Sequence, residues 1–554
     1  MYENKYVPEI IAEKIFAYYQ EGFDPLFEEG QAIQEAVLKD IIALSKGSKY
    51  AVDHGFLAID SIQDFRAVVP ISEYGDYYPY IQDNLKVDRC QITCQETDHY
   101  LLSTGRKNQG KYYIETRLGS LARQLSINIW NMNLMKLEPE MTQPDVKMLA
   151  VTNCSPLENA PNGKAVRRTS GQAAKELWEN TPDLYVFPYE FLEAEMTNDA
   201  RDYLTALYVL KEREFNMLFC NNLAYFGVLF DRIDQHAERM IQDIREGVMS
   251  VPLKERDRAI LEAGFIADEA RADELQSILT KDGALIPSAV WPNFVFTGAW
   301  LAGSVGDYSK DVIRRLPADM RYVSESYGCS EAMINLPLSY NAKYGPLAVY
   351  SCYFEFLPLQ GGELLTMAEV KDGEYYELVI STYSGLYRYN LHDIVRIHGF
   401  TGTTANVEFC CRSSESLKLK DRMFYGYEFS DFVADVEKML QINIDFYQAK
   451  ESAGKLTLIF QTEEKQKDLQ QVSQMIEVLA TSKKIILDAI YWVDKAYRMM
   501  LYQDLMNNGR TIQCIKLPMI AKWLPDTQYI EYIYVAQDKW KERSSKHASL
   551  STSA

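Results

Sequence analysis

Val349-Tyr-Ser-Cys-Tyr-Phe-Glu-Phe-Leu357, Glu377-Leu-Val-Ile-Ser-Thr382 and Val407-Glu-Phe-Cys-Cys411 are short runs rich in β-branched and aromatic residues. Gly or polar turns separate them, and that composition predicts strands. Upstream the periodicity changes. Ile10, Ile11, Ile15, Phe16 and Tyr19 share one helical face, and Ala32 to Leu44 repeats the pattern with Ile33, Ala36, Val37, Ile41 and Leu44. Residues 117–135 and 200–245 read as helix with few breakers. Strands alternating with helices predict an α/β body with parallel-rich sheets. Beyond residue 413 the pattern runs helix 428–440, strand 455–461, helix 465–481 and strand 485–492, which predicts a small α+β domain. The expected division is a large N-terminal domain, 1–412, and a small C-terminal domain, 413–554. The Ser-rich tail 541–554 is expected to fray.

Composition bounds the function. The chain has 554 residues and a net charge of −20, with 47% apolar and 25% charged residues. That is an ordinary globular composition. The charge argues against a generic binder of nucleic acid or anionic membrane. It leaves room for ATP, because a local cationic pocket with Mg²⁺ suffices. The nine cysteines form no CxxC pair and no Cys/His set at zinc spacing, so reduced thiols in a cytoplasm are expected. Met1 to Lys5 lacks the basic-then-apolar layout of a signal peptide. The most apolar stretch, Ala289 to Val305, is broken by Pro292, Asn293 and Gly298, and predicts a buried strand and turn rather than a membrane span.

Four stretches carry chemistry. Ser103-Thr-Gly-Arg-Lys-Asn-Gln-Gly-Lys111 packs two hydroxyls, two glycines and three cations into nine residues. Such a loop can turn backbone N–H groups inward around a polyphosphate; a solvated polar turn is the alternative. It is not a Walker loop, because Tyr112 follows Lys111. Ser326-Tyr-Gly-Cys-Ser-Glu331 offers an aromatic to stack on a base and a carboxylate to hold a metal bound to phosphates; a strand-end turn is the alternative. In Gly385-Leu-Tyr-Arg-Tyr-Asn-Leu-His-Asp-Ile-Val395, Asp393 can accept two hydrogen bonds from a ribose diol, or simply cap a turn. Arg412 ends the run Phe409-Cys-Cys-Arg412 where the chain changes character; it reads as a ligand contact at a hinge or a surface ion pair.

The order of these stretches resembles the ANL adenylate-forming superfamily. More closely, it resembles the Gretchen Hagen 3 family of acyl-acid amido synthetases, auxin- and jasmonate-conjugating enzymes of plants with bacterial relatives. The likeness is carried by Ser61-Ile-Gln-Asp-Phe-Arg-Ala-Val-Val-Pro-Ile-Ser-Glu-Tyr74, by Tyr78-Pro-Tyr-Ile81, by Trp291-Pro-Asn-Phe294 and by Trp300-Leu-Ala-Gly-Ser304. Its most specific part is Phe354-Glu-Phe-Leu-Pro358 followed by Glu377-Leu-Val-Ile-Ser-Thr-Tyr-Ser-Gly-Leu-Tyr-Arg-Tyr389. It covers residues 60–415 well and the last 130 poorly.

The resemblance implies an ATP-dependent ligase. A carboxylic acid is adenylated with Mg²⁺, and the acyl group passes to an amine, expected to be that of an amino acid. Ser103, Gly105 and Lys111 match the family's phosphate loop, S-S-G-T-T-G-x-x-K, and Thr104 keeps a hydroxyl, while Arg106 and Lys107 replace its threonines and Asn108 a glycine. Tyr327 with Gly328 and Ser330 would hold adenine, Glu331 the Mg²⁺, Asp393 the ribose hydroxyls, and Arg412 ribose or phosphate. Lys516, in Gln513-Cys-Ile-Lys-Leu-Pro-Met519, matches the family's C-terminal lysine loosely, because Met519 stands where the family has Arg. Residues 413–415 would be the hinge. Two alternatives stay open: a catalytically altered or inactive adenylate-fold protein that binds a nucleotide or small acid, with Arg106 and Lys107 filling the β/γ-phosphate pocket, and an acyl-CoA ligase. His392 reads as a turn histidine, and Tyr112 and Tyr113 as packing against a sheet.

Overall fold

The computed structural model describes residues 5–533, except 88–89, 104–109, 144, 152–157, 169–177, 180, 420–421, 453–454, 465–466, 508–514, 523–527 and 529–530. The chain forms two compact units. The first comprises Met1–Asn221, Phe226–Leu301 and Arg315–Phe409; the second comprises Asn222–Tyr225, Ala302–Arg314 and Cys410–Ala554.

In the first unit the longer N-terminal helices include α1 (Val7–Glu21), α2 (Gly30–Ser45), α3 (Ile62–Val68) and α4 (Tyr74–Val87). Helix α2 buries Val37, Leu38, Ile41 and Ile42. Its Gln34, 4% exposed, donates to Val349 O at 2.6 Å and to Cys352 O at 2.7 Å, and accepts from Phe354 N at 2.8 Å. One buried amide thus satisfies three backbone groups of the segment Val349–Phe354, more than 300 residues away, as a buried polar group must. Hairpin β1 (Thr97–Ser103) and β2 (Lys111–Thr116) follows, then helix α5 (Arg117–Leu137). Thr116 caps α5, its Oγ1 accepting from Gly119 N at 3.2 Å.

Strands β3 (Lys147–Val151), β5 (Phe215–Cys220), β6 (Phe296–Ala299) and β7 (Arg321–Ser324) form a four-stranded parallel sheet in that order; the short β4 (Val166–Arg167) pairs parallel with β1. Strand β6 is buried throughout, as expected of the apolar stretch 289–305. Residues 200–245, expected as continuous helix, are instead α6 (Asn198–Lys211), strand β5 and α7 (Ala224–Glu246). Phe215-Asn-Met-Leu-Phe-Cys220 is a short apolar run whose period does not separate strand from buried helix. Pairing on both sides decides it.

The third layer is a six-stranded sheet, β10-β9-β11-β12-β13-β8. Its members are β8 (Tyr344–Pro346), β9 (Cys352–Pro358), β10 (Leu365–Thr366), β11 (Tyr375–Thr382), β12 (Tyr389–Thr401) and β13 (Thr404–Arg412). The ladders β10–β9, β9–β11, β11–β12 and β13–β8 are antiparallel. The α/β expectation holds, with the parallel ladders elsewhere.

The fold also corrects the expectation for cysteine. Cys90 and Cys94 form a disulfide, their Cα atoms 4.4 Å apart. The bend that brings them together is fixed by Lys49 N donating to Cys90 O and Cys94 N donating to Leu44 O, which no spacing rule reveals. Cys329 and Cys352 carry free thiols.

The second unit contains hairpin β14 (Ser416–Leu419) and β15 (Arg422–Tyr425), α8 (Gly426–Leu440), β16 (Phe446–Ser452), β17 (Lys455–Gln461), α9 (Leu469–Ser482), β18 (Leu487–Val493) and α10 (Lys495–Asn507). Strand β17 pairs antiparallel with β16 and parallel with β18. Among the described residues no helix is long and apolar enough to cross a membrane. The tail 541–554 lies outside the described residues.

Candidate active site

The hairpin β1–β2 sets the register of the expected phosphate loop. Ser103 and Lys111 are cross-strand partners, so residues 104–110 connect the two strands. Thr104, Gly105, Arg106 and Lys107 lie outside the described residues. Gly110 is required at the loop's base: a Cβ there would stand 2.5 Å from Leu102 Cδ1 and 2.9 Å from Ser103 O. The Lys111 ammonium lies 4.9 Å from the centroid of the Tyr74 ring and 3.5 Å from Tyr389 Oη. The apolar stem of Lys111 is partly covered while its charge stays directed along these aromatics.

The second component leaves the C-terminal end of β7, the edge of the parallel sheet where open α/β folds bind ligands. The chain turns back on itself through a Gly328–Met333 bridge, with Cys329 N donating to Ala332 O and Ile334 N to Tyr327 O, both at 2.9 Å. Ser330 and Glu331 sit at the tip. Arg123 from α5 clamps the turn, donating to Cys329 O at 2.9 Å and to Ser330 O at 3.0 Å. Its Nε donates to Glu115 Oε1 at 3.1 Å, and both side chains are nearly buried, 12% and 3% exposed.

The third component is strand β12. Tyr327 Oη donates to Asp393 Oδ2 at 2.6 Å, a short charge-assisted bond. The Tyr327 ring lies against Phe409, centroids 5.2 Å apart. Its backbone N–H is held by Asn335 Oδ1 at 2.9 Å. Tyr113 and Tyr389 Oη are 3.2 Å apart, and the Glu331 carboxylate lies near enough to act electrostatically on both phenols. Burial, with the negative charge of Glu331 nearby, pushes both phenols far above their ordinary range, so they remain protonated donors.

The structure therefore brings Tyr327 against Asp393 and Lys111 against Tyr389 in the first unit, with Ser103 at the loop base and Gly328, Ser330 and Glu331 in the turn after β7. Arg412 and Lys516 are exposed residues of the second unit. Lys516 lies in the segment Ile515–Ile520, where Ala449 N of β16 donates to Met519 O at 2.8 Å. His392, read as a turn histidine, adopts a left-handed φ of 56°. It stands between Glu73 (3.3 Å) and Glu377 (3.7 Å). The hydrogen bond to Glu377, with further help from Glu73, raises its imidazole above the ordinary range.

Residues not singled out in the sequence are Arg123 and Glu325; Tyr113 reads there as packing, and Tyr389 only as part of a motif. Glu325 is half-buried one residue past β7, its N–H donating to Ala299 O at 2.9 Å, and loss of water pushes its carboxyl up to about 8. A divalent cation fits Glu331 as one hard oxygen donor that would share the ion with phosphates. Among the described residues no cluster of His, Cys, Asp and Glu forms a metal cage of its own.

The GH3 family N-terminal domain profile matches residues 20–317, and the GH3 family central domain profile matches residues 345–412. The chain is 27% identical over 435 residues to a jasmonoyl–L-amino acid synthetase, JAR6, of Nicotiana attenuata, covering 72% of each chain. It is 25% identical over 469 residues to a probable indole-3-acetic acid-amido synthetase, GH3.12, of Oryza sativa subsp. japonica, covering 75% of this chain and 74% of that one. The solved structure of GH3.15 acyl acid amido synthetase superposes with a TM-score of 0.78 at 18% identity, over 93% of this chain and 95% of that chain. This last likeness is one of fold.

Proposed function

This chain belongs to the GH3 family, and from that premise we propose that it is an ATP-dependent acyl-acid amido synthetase. The carboxylate of an acid substrate attacks the α-phosphorus of ATP; the bond to the β-phosphate oxygen breaks, and pyrophosphate leaves. The amine of an amino acid then attacks the acyl carbon of the adenylate, loses a proton and expels AMP. The first step joins anions, so the protein's contribution is positioning and charge neutralisation. Lys111, together with Arg106 and Lys107, offsets the phosphates, and Ser103, Thr104 and Gly105 cradle them. Tyr327, Gly328 and Ser330 form the adenine side, and Asp393 takes the ribose hydroxyls. Glu331 would hold Mg²⁺, which supplies further neutralisation of the triphosphate. Arg412 and Lys516, across a hinge at 413–415 between 1–412 and 413–554, belong to the same proposal. So does a cytoplasmic setting.

The observation that carries this reading is the hydrogen bond of Tyr327 to Asp393, which two sequence-distant motifs supply. The relatives point to aromatic and cyclopentanone acids, so indole-3-acetate and jasmonate head the substrate panel. The test is ATP–pyrophosphate exchange with a broad panel of carboxylic acids, followed by amide formation with the amino acids. Exchange with at least one acid, and amide rather than coenzyme A thioester as product, is expected. Normal nucleotide binding with no exchange across the panel would defeat the proposal.

A further inference from the structure

The segment 515–521 of the second unit is buried at every position but one, and the exception is Lys516. Part of this follows from sequence. Pro518 has no N–H and fixes its own φ, and it keeps Leu517 out of the helical region. The chain here pairs with the free edge of β16. Ala449 N donates to Met519 O at 2.8 Å, and Ala521 N donates to Ala449 O at 2.9 Å. Met519, 1% exposed, packs its thioether 4.0 Å from Tyr447 Oη. The position where the related family has Arg is therefore an apolar anchor in this chain.

This backbone pairing begins only at Met519. Around Lys516 the chain is held by two side-chain amides instead. Asn222 Nδ2 donates to Ile515 O at 2.9 Å, and Gln448 Nε2 donates to Pro518 O at 3.1 Å. The two carbonyls bracket Lys516, one residue before it and two after. Both amides are themselves fixed. Asn222 Oδ1 accepts from Ala224 N at 3.0 Å, and Gln448 Oε1 accepts from Tyr497 Oη of α10 at 2.6 Å. Asn222 and Gln448 are buried, so water is a poor substitute for either bond. Apolar side chains at 222 and 448 would fill the same space. They would not fix two carbonyls, and with them the backbone of the one residue of the segment that faces water.

We propose that Asn222 and Gln448 are positioning residues for Lys516, holding its backbone from both sides so that its ammonium works from one place. The inference rests on the synthetase reading above, which gives Lys516 a part in the reaction, and adds to it what holds that lysine. A cation serves the step that joins anions, so the effect belongs to ATP–pyrophosphate exchange. The experiment measures exchange with the full-length wild type, Gln448→Met, Asn222→Ala and Lys516→Ala, and with each amide substitution combined with Lys516→Ala. Either amide variant alone should lower kcat about tenfold, the loss of one buried hydrogen bond, with the KM for ATP unchanged. In the Lys516→Ala background the same substitutions should cost nothing further, because no ammonium is left to misplace. Equal losses in both backgrounds would mark a merely structural role and overturn the proposal, as would an unchanged kcat in either amide variant.

Trypsin supplies a readout that needs no activity. Cleavage after Lys516 requires the flanking residues to leave their buried positions. Gln448→Met and Asn222→Ala should each speed cleavage at that bond about tenfold, followed by mass spectrometry, with rates at other sites unchanged. An equal rise at every site, or no rise after Lys516, would overturn the anchoring. A wild type that shows no exchange with any acid would instead defeat the synthetase reading, and the cleavage pattern would still decide the anchoring.

Discussion

Arg388→Met removes the central cation of the first unit's most buried ion pair. Arg388 is 7% exposed and Glu355 1% exposed. Arg388 Nε donates to Glu355 Oε2 at 3.0 Å, and Nη1 donates to Arg66 O at 2.8 Å and Val69 O at 2.7 Å. The substitution leaves Glu355 with Arg66 alone, 3.8 Å away and 25% exposed, and strips a donor from two carbonyls. Removing one partner of a buried pair costs about 3–5 kcal/mol, whereas replacing both by apolar groups is close to neutral. Arg388→Met combined with Glu355→Leu should therefore recover most of the loss. The pH dependence has a definite sign. Burial already raises the Glu355 carboxyl, against the pull of Arg388, and without Arg388 the rise grows. An acid whose folded-state value lies above its unfolded value, about 4.3, destabilises the fold increasingly as pH climbs from there through the folded value. The Arg388→Met penalty should be larger at pH 8 than at pH 5. Denaturant unfolding followed by tryptophan fluorescence at both pH values measures it. A double variant as unstable as the single, or a penalty independent of pH, would refute the reasoning.

Arg123→Met should cost about 3 kcal/mol of stability, since Glu115 is left buried without its cation. It should also raise the KM for ATP in exchange assays, because the Cys329–Ser330 turn loses both clamping donors; an unchanged KM would separate the clamp from the site. Glu325 is a carboxyl raised to about 8, so its ionisation subtracts stability progressively as pH rises from about 4.3 toward 8. Glu325→Gln should flatten the pH–stability curve over that interval, and a curve of unchanged slope would contradict the assignment. His392 carries the opposite charge logic. Its imidazole is raised by Glu377 and Glu73, so its contribution is complete below about 6.5 and disappears as pH rises through the raised value. His392→Gln should remove that decline, read from melting temperatures between pH 6 and 8. Dithiothreitol should expose two additional thiols to a chromogenic reagent under denaturing conditions, and Cys90→Ser should remove that difference.

Much of the fold and part of the site were legible in the sequence, for identifiable reasons. Helix α5, strand β17 and strand β18 carry their period within one segment, so local pattern suffices. The Tyr327–Asp393 pair follows from two motifs whose residue types are restrictive. Arg123 escapes, and Tyr113 reads only as packing, because their partners lie far away in sequence. Arg123 reaches Cys329, and Tyr113 meets a tyrosine on the opposite sheet; neither residue type is diagnostic alone. Strand β5 was hidden inside a helical reading because burial on both faces erases the two-residue alternation. The cysteine pair was missed because only the tertiary course of residues 44–50 bends the chain enough to join Cys90 to Cys94.

The tie between the first helices and the last sheet sets a schedule for biosynthesis. Phe27 O accepts from Thr404 Oγ1 at 2.8 Å, Gln34 donates to Val349 O, and Asp40 accepts from Tyr383 Oη at 3.2 Å. None of these bonds can close until some 400 residues have left the ribosome, roughly 20–80 s at ordinary elongation rates. Through that interval Leu26, Phe27, Leu38 and Ile41 have no sheet to cover them. A fragment ending at residue 317, where the N-terminal family profile stops, would keep that greasy face permanently open and should require a chaperone to stay dispersed.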